Sequence, residues 1–466
     1  MRNIVIIGGG ITGLSAAFYL QQESKRKQEP INLKLIEASE RLGGKIKTMK
    51  RDGFTIEQGP DSLLSRKPAI VELTKELGLE DEMIFNETGS SFILVDGKLH
   101  QMPAGTFMGV PKEEKAIVDT EIFTEAGKKR ALEELEIPKG EPVEDQSLGL
   151  FMRRRFGDEA VNRLIAPMLA GIHSGDIDAM SLMAIYPLFY ELEQKYGSVM
   201  KGLQEHMPNQ PVTKEKRSSG IFFSFKDGLE TLIHQLHEKL AEDTVSTGVA
   251  AEQIVKTNSG YEIYLESGEK LAAEAVILAT EHSAVPNLFD DHPFLQDLKQ
   301  IPAVSTANIV MAFDADAIEN DLDGTGFQVA REGDIEITAC TWTNKKWPST
   351  TPENKVLLRV YVGRPEKQAF MKLSDEALTE LVLDELKKVM TIKADPQFTV
   401  VTRWKDARPQ YQVGHRKFIQ RIRDELSTQL PGIQIIGSSY DGAGIPDCVA
   451  NGKKAALEAL QFLKNN

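Results

Sequence analysis

The residues best suited to chemistry stand near the start of the chain, in a glycine-rich turn with G-x-G-x-x-G spacing. The turn comprises Gly8, Gly9, Gly10, Ile11, Thr12 and Gly13. Gly8 allows a tight turn, Gly10 lets the backbone approach a pyrophosphate, and Gly13 allows a helix and a strand to pack closely. Free N–H groups at the start of a following helix would face the phosphates. The pattern predicts dinucleotide binding.

Two strands and a helix are needed to position this turn. Residues 3–7 are a short apolar run typical of a buried parallel strand, and residues 14–20 favour a helix. A second strand, 33–36, ends in Glu37, whose carboxylate suits ribose hydroxyls. We ascribe the rather long spacing to a charged insert, residues 23–29, that lengthens the loop between helix and strand. A signal peptide or a glycine-rich surface turn is the alternative, but no basic region precedes the strand and glycines interrupt the apolar run.

A glycine pair flanked by cations follows the second strand. The residues concerned are Glu37, Ala38, Arg41, Gly43, Gly44 and Lys45. Cations around a glycine pair suit a second approach to the pyrophosphate, from the opposite side. Taken alone, the segment is equally well explained as a charged turn. Its E-x-x-x-R-x-G-G-[RK] pattern resembles the superfamily of flavin-dependent amine oxidases, phytoene desaturases and protoporphyrinogen oxidases.

A further glycine-rich turn lies near the C-terminus, between a short strand at 433–436 and a helix-forming run at 449–463. The resemblance implies that Gly437, Gly444, Ile445 and Pro446 contact the cofactor there. In the superfamily this helix points its N-terminus at the pyrimidine edge of the flavin, where its dipole stabilises negative charge. An ordinary loop before a terminal helix would not explain why both ends of the chain suit one cofactor. The cofactor is therefore predicted to be FAD.

The resemblance adds cofactor residues from the middle of the chain. They are Gly59, Pro60, Asp61 and Ser62, in a G-F-x-x-E-x-G-P stretch, then Val249 at the adenine end and Trp404 beside the flavin. One departure is Asp227, which replaces the first of two glycines that the superfamily usually has in that turn.

Composition limits the classes of function. The chain has 466 residues, 41% of them hydrophobic, and a formal net charge of −14. The hydrophobic content predicts a globular protein with ample core, and the negative charge argues against a nucleic-acid partner. Two cysteines and no recognisable signal peptide predict a cytoplasmic protein. The histidines suggest no metal site, because the pair His234 and His237 lies on a polar helix face.

The central part of the chain suggests the substrate. Residues 154–157 and 167–176 carry the pattern R-R-F-G … P-x-x-x-G-I-x-x-G-D, which resembles the protoporphyrinogen and coproporphyrinogen oxidases of monoderm bacteria. The resemblance implies that a basic residue, two apolar walls and a tyrosine contact the tetrapyrrole, at Lys67, Met168, Ile172 and Tyr361. Each has a structural alternative: a helix start, core packing or an ordinary strand residue. Arginines 153–155 are interpreted as a solvated face.

The fold class is predicted to be α/β, with three domains. Residues 1–88, 219–290 and 400–466 are assigned to a discontinuous Rossmann-like FAD-binding domain. Residues 89–110 and 291–399 form a mixed-sheet substrate domain, and 111–218 an inserted α-helical domain.

The resemblance implies an oxygen-dependent oxidase of haem biosynthesis. It would convert coproporphyrinogen III to coproporphyrin III, or protoporphyrinogen IX to protoporphyrin IX, by hydride transfer to flavin N5 with release of H2O2. No catalytic side chain is assigned, because the flavin does the redox work. Two alternatives stay open: another amine oxidase or desaturase, and a non-catalytic tetrapyrrole binder. Peripheral membrane contact also stays open.

Overall fold

The computed structural model describes residues 2–86, 90–207 and 221–465. The predicted boundaries at 88/89 and 218/219 lie outside the described residues. The described strands are, in chain order, β1 (Arg2–Ile7), β2 (Ile31–Glu37), β3 (Thr48–Arg51), β4 (Phe54–Glu57), β5 (Leu63–Leu64), β6 (Met83–Phe85), β7 (Phe92–Val95), β8 (Lys98–Gln101), β9 (Thr106–Phe107), β10 (Val110–Pro111), β11 (Phe222–Phe225), β12 (Val245–Thr247), β13 (Ala251–Thr257), β14 (Gly260–Leu265), β15 (Lys270–Ala273), β16 (Ala275–Leu278), β17 (Ala303–Asp314), β18 (Ile318–Glu319), β19 (Gly326–Val329), β20 (Ile337–Trp342), β21 (Lys355–Val362), β22 (Thr391–Ile392), β23 (Phe398–Pro409) and β24 (Ile433–Ile435).

The α-helices are named in the same way. They are α1 (Ile11–Lys27), α2 (Pro68–Glu76), α3 (Glu114–Val118), α4 (Glu125–Leu132), α5 (Leu148–Phe156), α6 (Asp158–Ala160), α7 (Ala166–Leu169), α8 (Leu182–Ile185), α9 (Pro187–Tyr196), α10 (Val199–His206), α11 (Glu230–Lys239), α12 (Pro293–Gln296), α13 (Thr343–Lys346), α14 (Asp375–Lys387), α15 (His415–Gln429) and α16 (Ile445–Asn465). A π-helical turn, Val161–Ile165, joins α6 to α7.

Strand β1 lies at the centre of a five-stranded parallel sheet with the order β12–β2–β1–β16–β24. Ile4 pairs with Leu33 of β2 on one side and with Ala275 of β16 on the other. Helices α1, α11 and α16 cover one face of the sheet, and α15 with the small β13–β14–β15 sheet covers the other. Because both faces are covered, β1 and β16 are nearly continuous apolar runs rather than alternating ones.

A seven-stranded mixed sheet is the second large layer, with the order β23–β17–β21–β20–β19–β7–β8. Strands β19 and β7 pair in parallel, and the other neighbours are antiparallel. One face packs on α14, where Leu358 and Val360 of β21 join the core with Leu378 and Val382. The alternating residues Arg359 and Tyr361 face the other way, toward the glycine-rich segments described below.

Helices α4–α10, with the turns that join them, enclose a separate apolar core that includes Phe151, Leu164 and Met200. One sequence interpretation is wrong here, because Arg155 is not on a solvated face but fully buried. It pairs with the equally buried carboxylates of Glu134 and Glu193. A guanidinium can lie in such a core only because these partners balance its charge.

The charged insert at 23–29 is also not the loop that was predicted. Helix α1 continues through it to Lys27, and β2 begins at Ile31. Glu23 and Arg26 form an ion pair of 2.6 Å, at a spacing that stabilises an exposed helix end.

The predicted domain bounds stay a prediction. The strands of the parallel sheet come from residues 2–37, 245–278 and 433–435. Strand β23 crosses the proposed boundary at residue 400 and pairs with β17 along its length.

Candidate functional site

The glycine turn between β1 and α1 is tight at one end and open in the middle. Gly8 has φ +111° and its N–H donates to the Ile36 carbonyl at 2.9 Å. A Cβ at Gly13 would lie 2.0 Å from the Gly8 oxygen, whereas a Cβ at Gly10 would meet nothing within 4 Å. Space for a ligand therefore exists at Gly10, at the N-terminus of α1.

Glu37 lies at the end of β2 and reaches back to this turn. Its carboxylate accepts hydrogen bonds from the Gly9 N–H at 2.7 Å and from the Ser39 N–H and hydroxyl at 2.9 and 2.7 Å. The backbone of Val249 donates to the Glu37 carbonyl at 2.9 Å. Glu37 thus holds the glycine turn, and its predicted contact with a ribose stays a prediction.

The second glycine pair lies directly opposite the first turn. Gly43 donates to the Gly9 carbonyl at 2.9 Å, and a Cβ at Gly44 would lie 3.4 Å from the Gly10 Cα. The Arg41 guanidinium donates to carbonyls of its own loop, at Leu42, Gly44 and Ile46. Arg41 is therefore engaged in shaping the loop, whereas sequence reasoning assigned its charge to the pyrophosphate.

Gly59 lies against the same loop. A Cβ at Gly59 would fall 1.8 Å from the Lys45 carbonyl oxygen, so no larger residue fits without a backbone shift. The Lys45 side chain points to Glu281, at 2.9 Å. Trp404 donates from its indole to the Gln58 carbonyl at 2.9 Å and comes close to Gly59. The sequence-predicted residues Lys45, Gly59 and Trp404 are thus neighbours.

Asp61, two residues further on, is bound by two cations. Its carboxylate lies 2.9 Å from Lys346 Nζ and 3.4 Å from Arg359 Nη1, and it accepts from the Ser62 hydroxyl at 2.7 Å. Burial would raise the pKa of Asp61, but the charges of Lys346 and Arg359 lower it below its ordinary range. Asp61 therefore anchors β21 and α13 beside the Gly59 to Ser62 segment.

The start of α16 approaches the start of α1. Gly437 has φ +114°, and a Cβ at this position would lie 3.5 Å from the Thr12 hydroxyl. Gly452 allows close contact, since a Cβ there would lie 2.6 Å from the Thr12 carbonyl. The N-terminal turn of α16, which includes Pro446, is thereby held beside the turn at Gly10.

Lys67 forms an ion pair with Asp447 in the first turn of α16. The distance from Nζ to Oδ1 is 2.9 Å, and both side chains are about two-fifths exposed, at 43% and 39%. The cation that the sequence assigned to the substrate thus lies at the helix end assigned to the flavin, with a carboxylate partner of its own.

Three polar side chains occupy the face of the mixed sheet that is turned away from α14, near Gly59. Arg359 donates to the Gly59 carbonyl, and its guanidinium lies 5.0 Å from the centre of the Tyr361 ring. Burial raises the pKa of the Tyr361 hydroxyl to about 12, although Arg359 acts against this. Arg408, four residues after Trp404 on β23, lies within electrostatic range of both. Tyr361 is therefore protonated at neutral pH.

The segment assigned to the pocket wall approaches the same region. Met168 is partly buried against Gly109, and Ile172 is half exposed. The next residue, His173, has its ring 6.5 Å from that of Tyr411, which follows β23. Burial lowers the pKa of His173 to about 4, and the charge of Arg408 acts in the same direction. His173 is therefore neutral in this region.

A cavity of about 320 Å³ opens where the strand β23 ends and the α7–α8 connection crosses it. Its walls include Asp176, Met180, Val304, Gln410 and Tyr411. Polar and apolar groups are mixed, which suits a substrate with an apolar body and charged arms.

The glycine turns, Glu37, Trp404 and the start of α16 fit a flavin dinucleotide, because Gly10 faces open space between two close backbone segments. Sequence reasoning missed Arg359, Lys346, Arg408, His173 and Asp447. No simple alternation could have pointed to Arg408, because β23 is irregular between Trp404 and Arg408, where Asp406 has φ +47°.

Two further classes of site are absent from residues 2–86, 90–207 and 221–465. No group of three or more His, Cys, Asp or Glu side chains there could hold a metal ion. No helix in that part of the chain is long and apolar enough to cross a membrane.

Comparisons with known proteins agree with the features of this site. Residues 11–460 match the family model described as flavin containing amine oxidoreductase. Coproporphyrinogen III oxidase of Bacillus subtilis (strain 168) is 43% identical over 465 residues, covering 99% of this chain and 98% of the relative. The Staphylococcus aureus protein of the same name is 38% identical and covers 99% and 100%. A crystal structure from Exiguobacterium sp. 255-15, described as a candidate protoporphyrinogen oxidase, superposes with a TM-score of 0.87 at 38% identity and covers 99% of each chain.

Proposed function

This chain belongs to the flavin containing amine oxidoreductase family, and we propose that it oxidises coproporphyrinogen III to coproporphyrin III, with FAD as cofactor and molecular oxygen as electron acceptor. Protoporphyrinogen IX is the proposed second substrate. The observation that carries the proposal is the near full-length likeness to coproporphyrinogen III oxidases, because it includes both the cofactor turns and the segment at 167–176.

The backbone of the two facing glycine turns supports FAD as the flavin. Gly10 and Gly44 would lie against the pyrophosphate, and Glu37 retains lone pairs for a ribose hydroxyl beyond its three present hydrogen bonds. Gly59 and Trp404 would lie beside the ring system. When bound, the flavin would accept a hydride from a meso carbon of the porphyrinogen and pass the electrons to oxygen, which is reduced to H2O2.

The chain's own residues have three tasks in this proposal. The N-terminus of α16 provides a positive dipole end that favours negative charge on a bound cofactor. Met168 and Ile172 would cover the face of the macrocycle and exclude water. Tyr361 would contact the substrate in its protonated form, so that its hydroxyl can donate a hydrogen bond. No side chain needs to act as a strong base, since aromatisation favours loss of the pyrrole proton.

Local positive charge, rather than the net charge of the chain, supports a substrate with carboxylate arms. The chain has a net charge of −14, so the overall field does not attract an anion, and cations must act locally. Lys67 is one such cation, because its partner Asp447 is partly exposed and a substrate carboxylate could replace it. Coproporphyrinogen III has four carboxylates and protoporphyrinogen IX has two, so local cations favour the former.

The proposed location is the cytoplasm. The thiols of Cys340 and Cys448 are both buried and unpaired, a state typical of a reducing compartment. Peripheral contact of the helical region with a membrane is the alternative. Flotation of the purified protein with lipid vesicles distinguishes the two.

Anaerobic mixing of the purified holoprotein with each porphyrinogen tests the function. We expect the flavin absorbance to bleach on addition of coproporphyrinogen III and to return when air is admitted, with formation of coproporphyrin III and H2O2. A primary amine is the control and should cause no bleaching. Bleaching by amines alone would make the chain an amine oxidase, and no bleaching by either would make it a non-catalytic binder.

Comparison of kcat/KM for the two porphyrinogens in air tests the substrate assignment. The tetracarboxylate is expected to be preferred. A strong preference for protoporphyrinogen IX would overturn this part of the proposal and leave the reaction type intact.

A further inference from the structure

Most arginines of the described residues are bound by a carboxylate. Within those residues, the arginines without an ion pair are Arg2, Arg66, Arg364, Arg408 and Arg416. Arg2, Arg66 and Arg416 are exposed, where water solvates the charge. Of the remaining two in the described residues, Arg364 is buried and Arg408 is partly buried.

The surroundings of these two arginines differ. Arg364 is affected by the negative charges of Glu336, Glu366 and Glu385, so its charge is balanced at a distance. The charged and titratable groups that act on Arg408, or on which it acts, are Tyr361, Arg359 and His173. None of these is a carboxylate. Arg408 is therefore a partly buried cation without a counter-charge among the described residues.

Such a cation is costly in a folded protein. Withdrawing a guanidinium from water without a paired anion is unfavourable, and natural sequences usually remove or pair such charges. Arg408 also donates no side-chain hydrogen bond to any described residue, although a guanidinium has five N–H groups to satisfy. These vacant donors, set in a fork, match the two oxygens of a carboxylate.

The position of Arg408 links it to the candidate site. It follows Trp404 on β23 and pairs across the sheet with Val304, which lines the 320 Å³ cavity. Gln410, another wall residue, donates from Nε2 to the Arg408 carbonyl at 2.9 Å and to the His173 carbonyl at 3.1 Å. The amide thereby ties the strand that carries Arg408 to the segment that carries Ile172.

We propose that Arg408 binds a propionate carboxylate of the porphyrinogen and is a stronger carboxylate anchor than Lys67. Lys67 already has Asp447 at 2.9 Å, so a substrate must displace that partner, whereas Arg408 has none to displace among the described residues. This inference rests on the proposed function, because it names the group in that same site that recognises the substrate.

Steady-state kinetics of the holoenzyme test the proposal. Arg408→Gln is expected to raise KM for coproporphyrinogen III by about tenfold or more, with kcat changed by less than about threefold, since a charged hydrogen bond made in the ground state is lost. Arg408→Lys should restore part of the affinity because it keeps the charge. Arg416→Gln, which removes another unpaired but exposed arginine, is the matched control and should leave both constants unchanged.

Binding of the stable product separates recognition from folding and from redox chemistry. Coproporphyrin III should bind Arg408→Gln at least about tenfold more weakly than wild type, whereas its tetramethyl ester should bind both proteins equally. FAD content, read from the flavin absorbance, should be unchanged. Loss of FAD would assign Arg408 to the cofactor, and equal weakening of acid and ester would give it a structural role; either result overturns the proposal.

The failure of this inference is distinguishable from failure of the proposed function. If wild type does not oxidise either porphyrinogen, the function is wrong. If wild type is active but Arg408→Gln retains its KM and its affinity for coproporphyrin III, only the inference is wrong. A larger effect of Lys67→Gln than of Arg408→Gln would overturn the ranking of the two cations.

Discussion

Several side chains near the glycine turns are bound by the protein itself, and this decides what they can offer a ligand. Arg41 donates to three carbonyls of its own loop and contacts Glu230, so its main effect on a cofactor is through the shape of that loop. Glu37 has two oxygens and keeps acceptor capacity after three hydrogen bonds. The two residues share one motif in the sequence, and direct contact of either with a cofactor stays a prediction.

The neutral state of His173 predicts a pH dependence of stability. Its pKa is lowered to about 4 in the folded chain by burial, against an ordinary value of about 6.5. The unfolded chain therefore binds a proton first as the pH falls, and the stability that neutral His173 contributes above pH 6.5 is lost toward pH 4. Wild type should lose at most about 2–3 kcal/mol more than His173→Gln between pH 7 and 4.5.

Chemical unfolding of the two proteins at both pH values measures this difference. The pH profile of activity gives an independent check. Near the ordinary pKa of histidine, wild type and His173→Gln should show the same titrating groups. Parallel loss of stability in the two proteins would show that His173 is not shielded from water.

Two glycines of the same turn are expected to respond differently to alanine. Gly13→Ala would place a Cβ 2.0 Å from the Gly8 oxygen and should destabilise the FAD-free protein by about 2 kcal/mol or more. The Cβ introduced by Gly10→Ala would meet no atom within 4 Å, so the FAD-free protein should keep its stability. Its affinity for FAD should fall by about tenfold, because the methyl group occupies the space assigned to the pyrophosphate.

Thermal unfolding of FAD-free protein and titration with FAD separate the two effects. Unchanged FAD affinity in Gly10→Ala would exclude a pyrophosphate at this position. The sequence motif already gave the two glycines different roles; the structure adds the distances, with the Gly8 oxygen close to Gly13 and open space at Gly10.

At the scale of elements, local patterns predicted strands of the parallel sheet but few contacts between them. The strands predicted at 3–7, 33–36 and 433–436 correspond to β1, β2 and β24, because an apolar run and the turn that bounds it act within a few residues. The prediction failed for residues 23–27, where charge was taken as a loop signal although Glu23 and Arg26 have helical spacing. Pairs such as Asp61 with Lys346 join distant parts of the chain, and no local rule predicts them.

A buried ion pair in the helical region is expected to contribute to the stability of the protein. Arg155 on α5 contacts Glu134 before α5 and Glu193 on α9, and Glu134 also accepts from Ser198 at 2.6 Å. All three charged side chains are fully buried. Arg155→Met would leave Glu134 without its cation, whereas Glu193 keeps Arg154 at 2.6 Å, and should destabilise the protein by about 3–5 kcal/mol.

Denaturant unfolding measures this change, followed by far-UV circular dichroism. Lys115→Met is the control, because it removes the cation of an exposed pair and should leave the midpoint unchanged. A midpoint of Arg155→Met equal to that of wild type would mean that Glu134 loses its cation without cost. FAD content should change little, since the network lies in the core of the helical region.

At the scale of the molecule, the order of the parallel sheet gathers distant segments around one turn. Strand β1 is flanked by β2 and β16, and the outer strands β12 and β24 come from the middle and the end of the chain. Sequence motifs at both ends predicted that they share a cofactor. The order of the strands could not be derived from them, because pairing between remote segments depends on the whole hydrophobic core.

This topology predicts that FAD stabilises segments far apart in sequence at the same time. A ligand present at 100 times its Kd adds about 2.7 kcal/mol to the free energy of unfolding if it binds only the folded state. Since α1 and α16 pack together over the turn at Gly10, the gain should appear in β1, β12, β24 and α16 alike. Amide hydrogen exchange with and without FAD measures it, with α14 on the far face of the mixed sheet as the internal reference. Protection confined to the first 40 residues would contradict a site built from both ends of the chain, and the same experiment on Gly10→Ala should show the protection only at higher FAD concentration.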